Sequence, residues 1–148
     1  MPIPPLTTDG TLPPGVHEST LDEVCARFGS FRGSDRRVRL FELLTQLVAE
    51  LRRSGRFSAI VVDGSFVTSE PAPEDIDVIL ALRADHDWIA DLNPSDYALV
   101  SRAALRRRFG FDALLASDGG EDYARYVEFF GRVRDDASAR KGMLRINL

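Results

Sequence analysis

A chain of 148 residues with 44% apolar and 28% charged side chains has the length of a single domain with one core, which excludes a disordered or fibrous protein and a separate substrate-binding domain. The net charge of −4 gives no electrostatic case for non-specific nucleic-acid binding, and the basic residues are all Arg except Lys141, which reads as base bias in the gene rather than as designed phosphate forks. No apolar run reaches the roughly 18 residues of a membrane helix, the start Met1, Pro2, Ile3, Pro4, Pro5 is not a secretory signal, and the lone Cys25 cannot form an internal disulfide, so a cytoplasmic protein without membrane contact is expected.

The chain reads as one unit, 1–148, in three stretches: an arm over 1–19, helices over 20–56 and a sheet core over 57–148. The arm is rich in Pro, Gly and Thr, which disfavours helix and predicts an extended segment lying along the body. Thr20, Leu21, Asp22, Glu23 spell a capping box, so a short helix starts there and ends near Phe28 and Gly29. Ser34 and Asp35 begin a second helix whose stripe of Val38, Phe41, Leu44, Leu47, Val48 and Leu51 faces the core, with Gly55 as its stop.

The run Ala59, Ile60, Val61, Val62 is a buried strand over 58–64, closed by Asp63, Gly64 and Ser65. Phe66 and Val67 can add one turn, but Pro71 and Pro73 forbid a long helix. Asp75 to Leu82 is the second strand, antiparallel to the first because the connection is short. Asp85 to Leu92 is irregular or weakly helical, and Ser95 caps a helix that Arg106, Arg107 and Arg108 close. A third strand over 111–116 carries one acid, Asp112, inside its apolar pattern, and a last strand spans 142–148 after an aromatic segment with Tyr123, Tyr126, Phe129 and Phe130. The expected fold class is α+β: a small mixed sheet with helices on one face and the acids at one edge of the other.

Asp75 and Asp77, two apart on a strand, project from the same face, while Ile76 points the other way. Backbone positions about 6 to 7 Å apart let both carboxylates converge on one or two divalent cations. Asp63, Glu70 and Glu74 lie close in sequence, and a cation relieves the repulsion among so many acids. Gly64 permits close backbone approach, and the Ser65 hydroxyl with adjacent amides is suited to phosphate oxygens. With Asp112 on a neighbouring strand facing the same way, three carboxylates surround one metal site beside a phosphate cradle; the other reading of Asp112 is an acid bonded to a loop amide or an Arg.

Gly64 and Ser65, nine intervening residues, then Asp75, Ile76, Asp77, Val78 resemble the signature of the polymerase-beta-like nucleotidyltransferase superfamily, whose minimal members include those of bacterial toxin and antitoxin pairs. The resemblance covers about residues 57–116, and the Leu12 to Glu18 arm is similar to small uncharacterised bacterial relatives. It implies Mg2+ (or Mn2+) held by Asp75, Asp77 and Asp112, leaving phosphates held by Gly64 and Ser65, a nucleoside triphosphate as donor, and a hydroxyl acceptor on protein or RNA that Asp112 helps deprotonate. The minimal enzymes begin a helix at the Gly-Ser and carry an Arg-Gly soon after; here Phe66, Val67, Thr68, Ser69 precede two prolines, a departure that bears on phosphate binding. The competing expectation is therefore a nucleotidyltransferase-shaped binding protein without turnover, an antitoxin or regulatory subunit completed by a partner protein or a second copy.

Other candidates read as structural. His17 and His86 lack ligand spacing, Arg140, Lys141 and Arg145 suit a charged strand edge better than phosphate or RNA contacts, and Trp88 suits a core position better than a base stack.

Overall fold

The computed structural model describes residues 3–148, so the part of the arm reading that concerns residues 1 and 2 lies outside the described residues. The arm is not extended throughout: it turns at residues 8–11, where Thr7 N donates to the Thr11 carbonyl at 2.8 Å, and its end forms β1 (Gly15–Ser19), a fifth strand of the sheet that the sequence reading did not include. Thr20 then caps α1 (Leu21–Phe28) with the full capping box: Glu23 N donates to Thr20 Oγ1 at 3.2 Å and Thr20 N donates to Glu23 Oε1 at 3.0 Å. Helix α2 (Arg36–Ser54) buries Leu40, Leu44, Leu47, Val48 and Leu51 and stops at Gly55 in the left-handed conformation, φ 68°.

Strand β2 (Phe57–Asp63) leads through a 3-10 turn at Ser65–Val67 to β3 (Asp77–Leu82), antiparallel to it. The strand predicted from 75 begins at 77, because Asp75 bonds to the Gly64–Ser65 turn instead of to a ladder partner. The single helix expected from Ser95 is two: Asn93 caps α3 (Pro94–Val100), and Ser101, whose hydroxyl accepts from Ala104 N, caps α4 (Arg102–Phe109). Asp85 to Leu92 holds no helix, and Trp88 is exposed against His86 rather than in the core. Strand β4 (Asp112–Ser117), helix α5 (Glu121–Phe130), a hairpin of β5 (Arg132–Val133) and β6 (Asp136–Arg140), and β7 (Gly142–Asn147) complete the chain.

The main sheet is mixed, in the order β1-β7-β2-β3-β4, with β1 parallel to β7 and β4 parallel to β3. One face carries the larger core, where Ile60, Val62, Val78, Leu80 and Leu144 meet apolar residues of α1 to α4. The other face carries Val61, Ile79, Ala116 and Met143 under Phe130 of α5, so this face too is partly roofed by a helix. β7 is interior rather than an edge, so Arg145 does not guard an edge: it reaches Asp118 with two bonds of 2.8 Å and Tyr123 with one of 3.0 Å.

One buried cation organises the segment after the Gly-Ser turn. The Arg37 guanidinium, 1% exposed, donates to the carbonyls of Phe28 (3.3 Å), Phe66 (2.6 Å), Thr68 (2.7 Å) and Glu70, and lies 5.9 and 5.8 Å from the Phe28 and Phe66 ring centroids. The stretch before Pro71 and Pro73 has few backbone ladder bonds, and these contacts replace them. Replacing Arg37 by Met strands four carbonyls, and we expect a loss of about 3 kcal/mol in urea denaturation. A change below about 1 kcal/mol would mean that water satisfies those carbonyls in its place.

Asp118 gives a second test. Hydrogen bonds from Arg145 and Ser58 hold its carboxyl down at about 2. A lowered folded value stabilises above the ordinary range near 4 and is lost as pH falls towards 2. Asp118→Asn therefore costs about 2 kcal/mol at pH 7, and the gap to wild type closes between about pH 4 and 2 in denaturation midpoints taken across pH.

Candidate active site

Three aspartates form a row across one end of the sheet. Asp63 ends β2 opposite Asp77, which opens β3, and Asp77 is in turn the register partner of Asp112, which opens β4. Directly opposed residues share a face, and here it is the face of Val61 and Ile79, the one α5 covers. Asp75 stands beside the row on the loop, so the sequence-predicted trio of Asp75, Asp77 and Asp112 is gathered at one place, with Asp63 as a fourth acid.

Gly64 makes this possible. At φ 92° and ψ −177° it occupies a region essentially confined to glycine, and a Cβ there would lie 3.1 Å from Asp75 O, Asp75 Oδ1 and Asp77 N. The turn then aims both polar groups of Ser65 at Asp75: Ser65 N (3.2 Å) and Ser65 Oγ (3.0 Å) donate to Asp75 Oδ1, and Ser65 Oγ accepts from Glu74 N at 3.1 Å. Ser65 thus orients an acid, where the sequence suggested a free phosphate donor.

The four carboxylates differ in surroundings. Asp63 is buried, which raises its proton affinity, and Lys141 Nζ opposes that with bonds of 3.0 and 2.9 Å to its two oxygens. Asp112, expected to be buried in an apolar strand, is exposed at the strand's start and pairs with Arg106, as its Arg-bonded alternative described. Asp77 is half-buried, has no hydrogen-bond or ion-pair partner among the described residues, and is pushed up to about 6 by burial first and then by Asp75, Asp63 and Asp112.

Among the described residues, no three Asp, Glu, His or Cys side chains are closed into a ready metal cage. The donor set nevertheless suits a hard divalent cation: oxygen ligands only, one carboxylate unpartnered and under repulsion from three others, and Asp75 with only its Oδ1 occupied. His17 is spent on Pro13, its Nε2 donating to the carbonyl at 2.7 Å, and takes no part.

Two clefts meet at the row. A cleft of about 780 Å³ is lined by Asp63, Asp77 and Asp112 on one side and by α5 and the β5–β6 hairpin on the other. A second, of about 510 Å³, runs along Gly64, Ser65, Glu70, Glu74 and Asp75. Asp77, Arg134 and Lys141 border both.

A profile described as "Family of unknown function (DUF6932)" matches residues 4–147. The chain belongs to the DUF6932 family. No curated protein and no solved structure matches it. Since the matched span reaches from the arm to β7, the acid row, Lys141 and the hairpin all lie within the DUF6932 unit.

The sequence reading set Arg140 and Lys141 on a charged strand edge; instead Lys141 pairs with buried Asp63, both residues line the larger cleft, and the hairpin's Arg132 and Arg134 were not singled out. The only lysine in an Arg-rich chain was an available signal; the pairing of residues 63 and 141 across 78 positions was not. The Asp63–Asp77 pairing was readable in principle, since the last residue of one hairpin strand faces the first of the next.

Gly64→Ala forces an L side chain into the glycine-only region and against Asp75, and we expect about 2 kcal/mol of destabilisation in thermal or urea unfolding. Ser65→Ala, which leaves the backbone alone, should cost about 1 kcal/mol, and a reversed order of the two would contradict the assigned strain.

Proposed function

We propose that the protein is a metal-dependent nucleotidyltransferase, moving a nucleotidyl group from a nucleoside triphosphate to a hydroxyl acceptor on protein or RNA. One observation carries the reading: Asp77 and Asp112 stand in register on one sheet face, between a cationic cleft wall and the turn that fixes Asp75. The resemblance of Gly64, Ser65, Asp75 and Asp77 to the polymerase-beta-like signature supports the same chemistry.

In this reading Asp75, Asp77 and Asp112 hold Mg2+ (or Mn2+), which when bound neutralises charge on the triphosphate oxygens. The acceptor oxygen bonds to the α-phosphorus, the bond from phosphorus to the bridging oxygen breaks, and pyrophosphate leaves with that electron pair. Asp112 takes the acceptor's proton. To do so it leaves Arg106, and an exposed pair of this kind is worth only about 0 to 1 kcal/mol. Lys141 stays on Asp63, where its ammonium opposes the burial that raises that acid's proton affinity.

A second reading, a nucleotidyltransferase-shaped binding protein without turnover that acts as an antitoxin or regulatory subunit, is favoured by a specific feature. The Ser65 amide and hydroxyl both go to Asp75, and a three-residue 3-10 turn stands where the minimal enzymes start a helix.

Calorimetric titration of ATP with and without Mg2+, followed by transfer of labelled nucleotide to candidate proteins and RNA, separates the readings. We expect Mg2+-dependent binding and transfer, the latter lowered at least about a hundredfold by Asp77→Ala. Binding without transfer to any acceptor favours the second reading; absence of both in the wild type and in Asp77→Ala alike removes the enzyme reading.

A further inference from the structure

We propose that the larger cleft is a nucleotide subsite in which Phe129 stacks the base and the guanidinium groups of Arg102 and Arg134 hold the phosphates. This deepens the proposed reaction and rests on that reading for its chemistry, although the subsite binds whether or not turnover follows.

The cleft's charge runs against that of the chain. The protein carries −4 overall, yet this cleft is lined by five cations, Arg102, Arg132, Arg134, Arg140 and Lys141, against three carboxylates. Most of these cations already have acidic partners. Arg132 and Arg140 meet Glu128, and Lys141 meets Asp63. Arg102, at the start of α4, and Arg134, in the two-residue turn between β5 and β6, are exposed and have no hydrogen-bond or ion-pair partner among the described residues. Two unpartnered guanidinium forks on the wall of one concave site suit an anion with several oxygens, such as a polyphosphate.

The same cleft has an apolar side. Phe129 is 62% exposed although its neighbour Phe130 is buried beneath it, the two rings lying 6.2 Å apart. With Leu114, Phe130, Val133 and Ala137 it forms the apolar part of a lining whose other residues are all charged. An open aromatic face next to cationic groups is the combination that takes a base stacked at one end and phosphates at the other. A volume of about 780 Å³ holds a nucleoside triphosphate. Orientation follows from Arg134: it borders both clefts together with Asp77 and Lys141, so phosphates gripped there lie towards the acid row and the base lies outward on α5.

The test is calorimetry on the full chain with ATP, inorganic tripolyphosphate and adenosine, each in chelator and in Mg2+. Phe129→Ala should weaken ATP roughly tenfold and leave tripolyphosphate unchanged, with Phe129→Trp restoring ATP affinity. Arg134→Ala should weaken ATP and tripolyphosphate alike, by roughly tenfold. Both side chains are exposed, so unfolding midpoints should match the wild type. The subsite fails alone if ATP binds and is turned over but neither variant alters its affinity, or if Phe129→Ala weakens tripolyphosphate as much as ATP. The reaction fails alone if both variants weaken ATP as stated while the wild type transfers nothing. A wild type that binds no ATP in either buffer overturns the subsite.

Discussion

The register of β3 is the constraint on which the site depends. Val78, Ile79, Leu80 and Ala81 are all buried, alternate residues facing the α1–α4 core and the α5 layer. A slip of one residue against β2 would send every side chain to the opposite face and carry Asp77 into the larger apolar core. Packing that has no chemical purpose therefore fixes where the carboxylates stand. The row that results is electrostatically unfavourable, and a fold selected for stability alone would not set Asp63, Asp77 and Asp112 side by side. It survives because it lies at the strand ends, where Asp112 keeps water and Asp63 has Lys141.

Arg37 supplies what the loop between β2 and β3 lacks. A guanidinium with carbonyl partners and two flanking rings is a substitute for a strand ladder, and it holds the far side of the turn that Gly64 opens. The turn's near side is held by Ser65 and Asp75. The loop is thus braced from the helix layer beneath and from its own acid above, which leaves Asp75 in a fixed place without a strand to carry it.

What could be read from the sequence follows physical range. The capping box at Thr20, the left-handed stop at Gly55 and the apolar runs of β2 and β3 are set by neighbours a few residues apart, and each was legible. The Asp-apolar-Asp spacing with the upstream Gly-Ser drew attention to these acids, and the parallel pairing of β4 with β3 sets Asp112 opposite Asp77. Long-range facts were not legible. Nothing local in Arg37 distinguishes it from Arg36 or Arg39, since its burial depends on carbonyls some thirty positions away. The hairpin β5–β6 has almost no apolar alternation, so no periodicity announced it, although it forms one wall of the larger cleft. The break between α3 and α4 turned on Asn93 and Ser101 outcompeting Ser95 as caps.

β7 lies between β1 and β2, and Gly142 N donates to the Leu12 carbonyl where any larger side chain would strike Pro13 O. The sheet can therefore close only after the last strand has been made, and until then the inner edge of β2 remains open. Synthesis order and assembly order diverge: the arm, made before every other strand of the sheet, is among the last parts to dock. The lysine that neutralises Asp63 precedes β7 by one residue, so the acid row acquires its counter-charge in the same late event that seals the sheet.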